Sequence, residues 1–95
     1  MSGIKISASA PPQAGRKFSY QVAVDAGQGV TSVVLARVYR PDGSLAREYS
    51  ENLETREGVA SSGFHPALSD PKGAWKVVAT EAVSGQTATL EFQLP

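Results

Sequence analysis

Cysteine is absent from this 95-residue chain, which excludes thiol nucleophiles, thiolate-based zinc sites and any disulfide framework. Histidine occurs once, at His65, and a lone imidazole without thiolates lacks the partners of a transition-metal centre. Neither sign of charge is in excess: nine Lys or Arg stand against nine Asp or Glu, dispersed along the chain. That balance argues against the basic face that nucleic acid or an anionic membrane requires. No apolar run approaches the ~18 residues of a membrane-spanning helix. Apolar residues at helical spacing are missing as well, so no amphipathic helix is expected. The opening residues Met1-Ser2-Gly3-Ile4-Lys5 hold no charged segment followed by an apolar core, so no signal peptide is read there. Met1-Ser2-Gly3 instead reads as a leader left before an excised domain, and then the missing signal says nothing about the parent protein's location.

What the chain does contain is alternation broken by turns. Phe18, Tyr20, Val22 and Val24 fall on one face of a strand, with Ser19, Gln21, Ala23 and Asp25 on the other. Ile4 to Ser7 alternates as a short edge strand ended by Pro11-Pro12, and Ala26-Gly27-Gln28-Gly29 turns the chain after the second run. Val30 to Arg40 is a third run, resolving into Val34, Ala36 and Val38 against Arg37 and Tyr39. Pro41-Asp42-Gly43-Ser44 is a strong turn and predicts a return strand over Leu45 to Tyr49. Glu51 to Gly58 reads as a loop or weak edge strand, and Val59 to Leu68, holding Gly63 and Pro66, as a broken or edge strand. Ser69-Asp70-Pro71-Lys72-Gly73 turns into Ala74 to Thr80, and Val83-Ser84-Gly85-Gln86 closes a hairpin onto Thr87 to Leu94. The pattern predicts an all-β fold, an antiparallel β-sandwich of about seven strands, with residues 1–95 as a single domain.

Three stretches carry a family likeness: V-Y-R-P-D-G-S-L at Val38 to Leu45, G-F-H-P-A-L-S-D-P-K-G-A-W-K-V at Gly63 to Val77, and S-G-Q-T-A-T-L-E-F at Ser84 to Phe92. Together they resemble the immunoglobulin-like sandwich modules of large bacterial secreted proteins. Such modules include accessory domains of glycoside hydrolases and a domain type of α2-macroglobulin-like proteins. The resemblance implies a non-catalytic structural or protein-interaction module of a larger extracytoplasmic, periplasmic or secreted, protein. Its partners would be neighbouring domains of the parent chain, it would need no cofactor, and it would be a monomer by default. The N-terminal Ile4-Lys5-Ile6 run is the edge at which self-pairing is expected if it occurs.

The alternative is a carbohydrate-binding module using exposed aromatic rings. Its residues would come from a surface of Arg37, Tyr39, Tyr49 and Trp75. Tyr39 shares a predicted outward face with Arg37, and Tyr49 is expected across the Pro-Asp-Gly hairpin from it, as a sugar platform or a simple cross-strand pair. Trp75 either plugs one end of the core, the favoured reading, or offers a platform for a sugar ring. Catalysis is not expected. His65 has no Gly-x-Ser-x-Gly elbow to serve, no two carboxylates are singled out as a glycosidase pair, and Gly27-Gln28-Gly29 precedes neither lysine nor helix. Asp25, Asp42 and Asp70 sit in predicted turns, where aspartate ordinarily bonds its own backbone rather than calcium.

Overall fold

In the computed structural model, which describes residues 3–8, 16–25, 31–66 and 70–94, the alternating runs become seven strands. They are β1 (Gly3–Ala8), β2 (Phe18–Asp25), β3 (Val33–Tyr39), β4 (Glu51–Glu54), β5 (Val59–Phe64), β6 (Gly73–Glu81) and β7 (Thr87–Leu94). The expected turn at Ala26 to Gly29, the Pro11-Pro12 strand end and Leu68 lie outside the described residues. All pairings are antiparallel, in a three-stranded sheet of order β1-β2-β5 and a four-stranded sheet of order β4-β3-β6-β7. The two sheets form the antiparallel β-sandwich that the alternation predicts, of the immunoglobulin-like kind that the resemblance implies. Its fourth strand joins the second sheet rather than the first, unlike the constant-type arrangement of antibody domains.

Period-2 patterning decides what is inside. β2 buries Phe18, Tyr20, Val22 and Val24, and β3 and β6 oppose them with Val34, Ala36, Val38, Trp75, Val77 and Ala79. A one-residue slip of any of these strands would turn its whole apolar set to water, so the registers are strongly specified. Five rings, Phe18, Phe64, Phe92, Trp75 and Tyr49, form a continuous aromatic cluster among these residues, with neighbouring centroids 4.4–6.2 Å apart. One polar pair is also buried: Ser32 donates its N–H to Thr55 Oγ1 at 2.9 Å, and Thr55 returns its N–H to the Ser32 carbonyl at 2.9 Å.

The predicted return strand over Leu45 to Tyr49 does not form. Only Leu45 bridges to Tyr39, and Arg47–Tyr49 curls into a single 3-10 turn. The cause is a side chain that takes a ladder position. Val38 donates its N–H to Ser50 Oγ at 3.0 Å, Ser50 donates its hydroxyl to the Ala46 carbonyl at 3.0 Å, and Ala46 donates its N–H to the Val38 carbonyl at 2.7 Å. With Ala46 fully buried, this loop satisfies β3 without a strand beside it. The edge position passes to β4, in the stretch read as loop or weak edge strand. From there a two-residue turn, Glu57-Gly58, with φ of 52° and 81°, carries the chain across to β5 in the other sheet.

The β6–β7 hairpin is closed by a carboxylate. Glu81 is 4% exposed and accepts the backbone N–H of Val83 at 3.0 Å and of Ser84 at 2.9 Å. Those two bonds, Val83's first, hold its carboxyl below the usual carboxylate range. A depressed folded-state pKa means that the unfolded chain takes up the proton first. The contribution is therefore complete above the ordinary glutamate value of about 4.3 and is lost as pH falls through the folded value. Denaturant melts at neutral and acid pH are expected to show Glu81→Gln less stable than the parent at neutral pH and flatter towards acid. Parallel pH curves for the two proteins would remove this role from Glu81.

Candidate functional site

The four residues singled out from the sequence divide between two places. Arg37 and Tyr39 lie side by side on the outer face of β3, half-buried. Trp75 points the other way: it is 1% exposed, its ring stacks on Phe92 at 6.2 Å, and its indole N–H donates to the Pro71 carbonyl at 2.8 Å. Tyr49, carried by the 3-10 turn, stacks on Phe64 at 4.4 Å and donates its hydroxyl to Asp70 at 2.5 Å. It therefore packs against the core and not across a hairpin from Tyr39. The platform reading of Trp75 and the Tyr39–Tyr49 pairing are both corrected by this placement. The physical reason is the same in each case, since both rings serve the aromatic cluster at the core.

What assembles around Arg37 and Tyr39 is the outer face of the four-stranded sheet. Register sets Tyr39 opposite Lys76 and Lys76 opposite Glu91, while Arg37 lies opposite Val78 and Leu35 opposite Thr80. Lys76 Nζ stands 5.5 Å from the centroid of the Tyr39 ring, a cation–π contact on an exposed face. Arg37 reaches towards β4, its guanidinium donating to Asn52 Oδ1 at 3.3 and 3.4 Å and to the Glu51 carbonyl at 3.4 Å. Between these polar groups lie half-buried Leu35 and Val78 and Val33, 39% exposed. The result is an apolar strip rimmed by charges of both signs. Lys76, Val78 and Leu35 were not among the residues picked from the sequence. Their outward phase was legible in the alternation, but their neighbourhood to Tyr39 depends on the β3–β6 register.

The outer face of the three-stranded sheet is different in kind. Ser7, Ser19, Gln21 and Ser61 line a shallow depression of about 350 Å³ together with Lys17, and Tyr20, the one ring in its lining, is buried. Elsewhere the polar groups serve the fold. Asp42 accepts the backbone N–H of Ser44 at 2.9 Å and its hydroxyl at 2.6 Å, and these bonds, the hydroxyl's first, lower its pKa. Asp42 thus caps its own turn, as expected of aspartate there. The Tyr20 hydroxyl is buried, and burial pushes its pKa up against the smaller opposing effect of the Ser62 hydroxyl on the neighbouring strand. His65 is exposed just beyond β5, and among the described residues no three of His, Asp and Glu come together as metal ligands would.

No family model and no curated protein sequence matches this chain. Among solved structures it is similar to the CARDB domain of a protein from Pyrococcus furiosus, a crystal structure in complex with di-metal ions. The TM-score is 0.61 at 17% sequence identity, over 97% of this chain and 85% of that one. The likeness is one of fold. It extends over nearly the whole chain, and it agrees with the sandwich derived from the alternation.

Proposed function

We propose that this chain is a non-catalytic protein-interaction module of a larger bacterial extracytoplasmic protein, packing through the outer face of its four-stranded sheet against a neighbouring domain of the parent chain. The observation that carries this reading is the apolar strip of Val33, Leu35 and Val78, left open on the outer face of a sheet whose inner face packs the core. A contiguous apolar strip within a polar rim is what a docking surface presents. The likeness in fold to a CARDB domain and the resemblance of Val38 to Leu45, Gly63 to Val77 and Ser84 to Phe92 to secreted sandwich modules support the same view.

The carbohydrate-binding alternative is less well served. Of its three rings Trp75 is buried, Tyr49 is stacked on Phe64, and Tyr39 has Lys76 over its face. The di-metal ions of the similar structure find no matching donor set among the described residues, where no group of three His, Asp or Glu forms. Asp42 and Glu81 are moreover committed to turn N–H groups.

The test is hydrogen exchange on the natural chain that carries these residues together with its neighbouring domains, compared with the isolated 95 residues. Protection is expected to rise at Val33, Leu35, Arg37, Tyr39 and Val78, and to be lost in a Val78→Glu variant of the longer chain. Unchanged exchange on that face, or a natural reading frame confined to these residues, would overturn the proposal.

A further inference from the structure

The two ends of the four-stranded sheet are guarded unequally against an added strand. β4 is four residues long with a glutamate at each end, and short charged edges resist pairing. β7 runs eight residues, Thr87–Leu94, without proline and with one charge, Glu91. Its inner side is paired with β6 along its whole length. Among the described residues nothing takes up the backbone groups of its outer side. β1 runs beside β7 but belongs to the other sheet and makes no ladder with it.

The seam between these two strands is also incompletely sealed. Ile4, Ile6 and Ala8 of β1 and Ala88 and Leu90 of β7 occupy inward positions, yet each is only half-buried, whereas Phe92 and Leu94 further along β7 are buried. Among the described residues an unpaired strand edge and a half-buried aliphatic seam thus lie along the same side of the sandwich.

We propose that a second copy of this chain closes that side, β7 pairing antiparallel with β7 of the other copy to make one eight-stranded sheet. The two-fold axis of such a ladder stands perpendicular to the sheet, so both three-stranded sheets fall on the same side of it. Ile4, Ile6 and Leu90 of each copy then line one shared gap, and each seam covers the other. The sequence of β7 is self-complementary in a register centred on Thr89. Ala88 then faces Leu90 and Thr87 faces Glu91, whereas centring on Glu91 would oppose two carboxylates. The same patch is used on both copies, as a closed two-fold dimer requires. One ladder and a narrow seam fall short of the ~800 Å² per partner of stable complexes, so the dimer is weak and depends on concentration. The inference does not rest on the docking face, which the paired sheets would only extend.

The lack of cysteine makes the test clean. A Thr89→Cys variant carries a single thiol next to the two-fold axis, within disulfide reach of its counterpart. Under mild oxidation it is expected to give a covalent dimer well before a Val83→Cys control, whose site is 95% exposed in the preceding turn. Sedimentation of the unaltered chain should rise from the 10.0 kDa monomer towards twice that mass with concentration. Thr89→Lys, which opposes two ammonium groups on an exposed face, should weaken association at least about tenfold while leaving the thermal midpoint unchanged. A monomer persisting to millimolar concentration would overturn the proposal. So would a dimer that Thr89→Lys does not weaken, or equal cross-linking of the two thiol variants.

Discussion

Trp75→Ala is expected to destabilise the fold by about 3–5 kcal/mol, the usual cost of deleting a large buried ring. Three losses combine. The ring is 1% exposed, so its removal opens a cavity at the aromatic cluster instead of exposing a new surface. It stacks on Phe92 and lies 6.2 Å from Tyr49, so both neighbours lose a contact face. Its indole N–H also donates to the Pro71 carbonyl, which fixes the turn entering β6. A domain of this size commands roughly 5–10 kcal/mol in all, so the variant should be close to unfolding at ambient temperature. Trp75→Phe keeps most of the apolar area and loses the hydrogen bond, and should fall between the two. Trp75 is the sole tryptophan, so urea melts should be followed by far-ultraviolet circular dichroism rather than fluorescence. A loss under about 1 kcal/mol for Trp75→Ala would mean that the ring is not a core element. That result would return it to the surface role that a sugar platform requires.

Much of this fold was legible because one physical rule, alternation at period 2, dominates the chain. β2, β6 and β7 each bury one face, and their residues declare which. The rule failed at Leu45 to Tyr49, which alternates adequately but curls into a 3-10 turn. There the deciding group is the Ser50 hydroxyl, which stands in for a ladder partner of β3, and alternation carries no information about side-chain bonds to backbone. The same failure misplaced Tyr49. Arg37 and Tyr39 were placed on one outward face because they are two residues apart on a strand, which needs no tertiary knowledge. Lys76 over the Tyr39 ring, by contrast, depends on which residue of β6 meets which residue of β3. Turn chemistry was read correctly at Asp42 and left unread at Glu81, where the carboxylate that closes the hairpin precedes the turn and is reached only through its geometry.

Alanine at Gly63, Gly58 and Gly85 is expected to separate two reasons for glycine in this sandwich. At Gly63 the backbone is ordinary, but a Cβ would lie 2.4 Å from the Phe18 carbonyl oxygen and 3.1 Å from Ser19 Cα. Both are backbone atoms of β2, held by the β2–β5 ladder in which Gly63 lies opposite Ser19, so neither can swing aside. The cost is that of overpacking, about 1–3 kcal/mol or more, and asparagine or serine should do no better than alanine. Gly85 is the converse: φ is 74° and nothing lies within 4 Å of the added carbon. Only the left-handed backbone matters there, at about 1 kcal/mol, and asparagine should recover part of it. Gly58 combines both, with φ of 81° and a Cβ 2.9 Å from the Val24 carbonyl oxygen. Gly58→Ala should therefore be as costly as Gly63→Ala and only partly relieved by asparagine. Chemical denaturation of the six alanine and asparagine variants reads this directly. If asparagine rescued position 63, the close approach of β5 to β2 would not be the cause. The extended strand that closes the three-stranded sheet would then have to be held by something other than backbone contact.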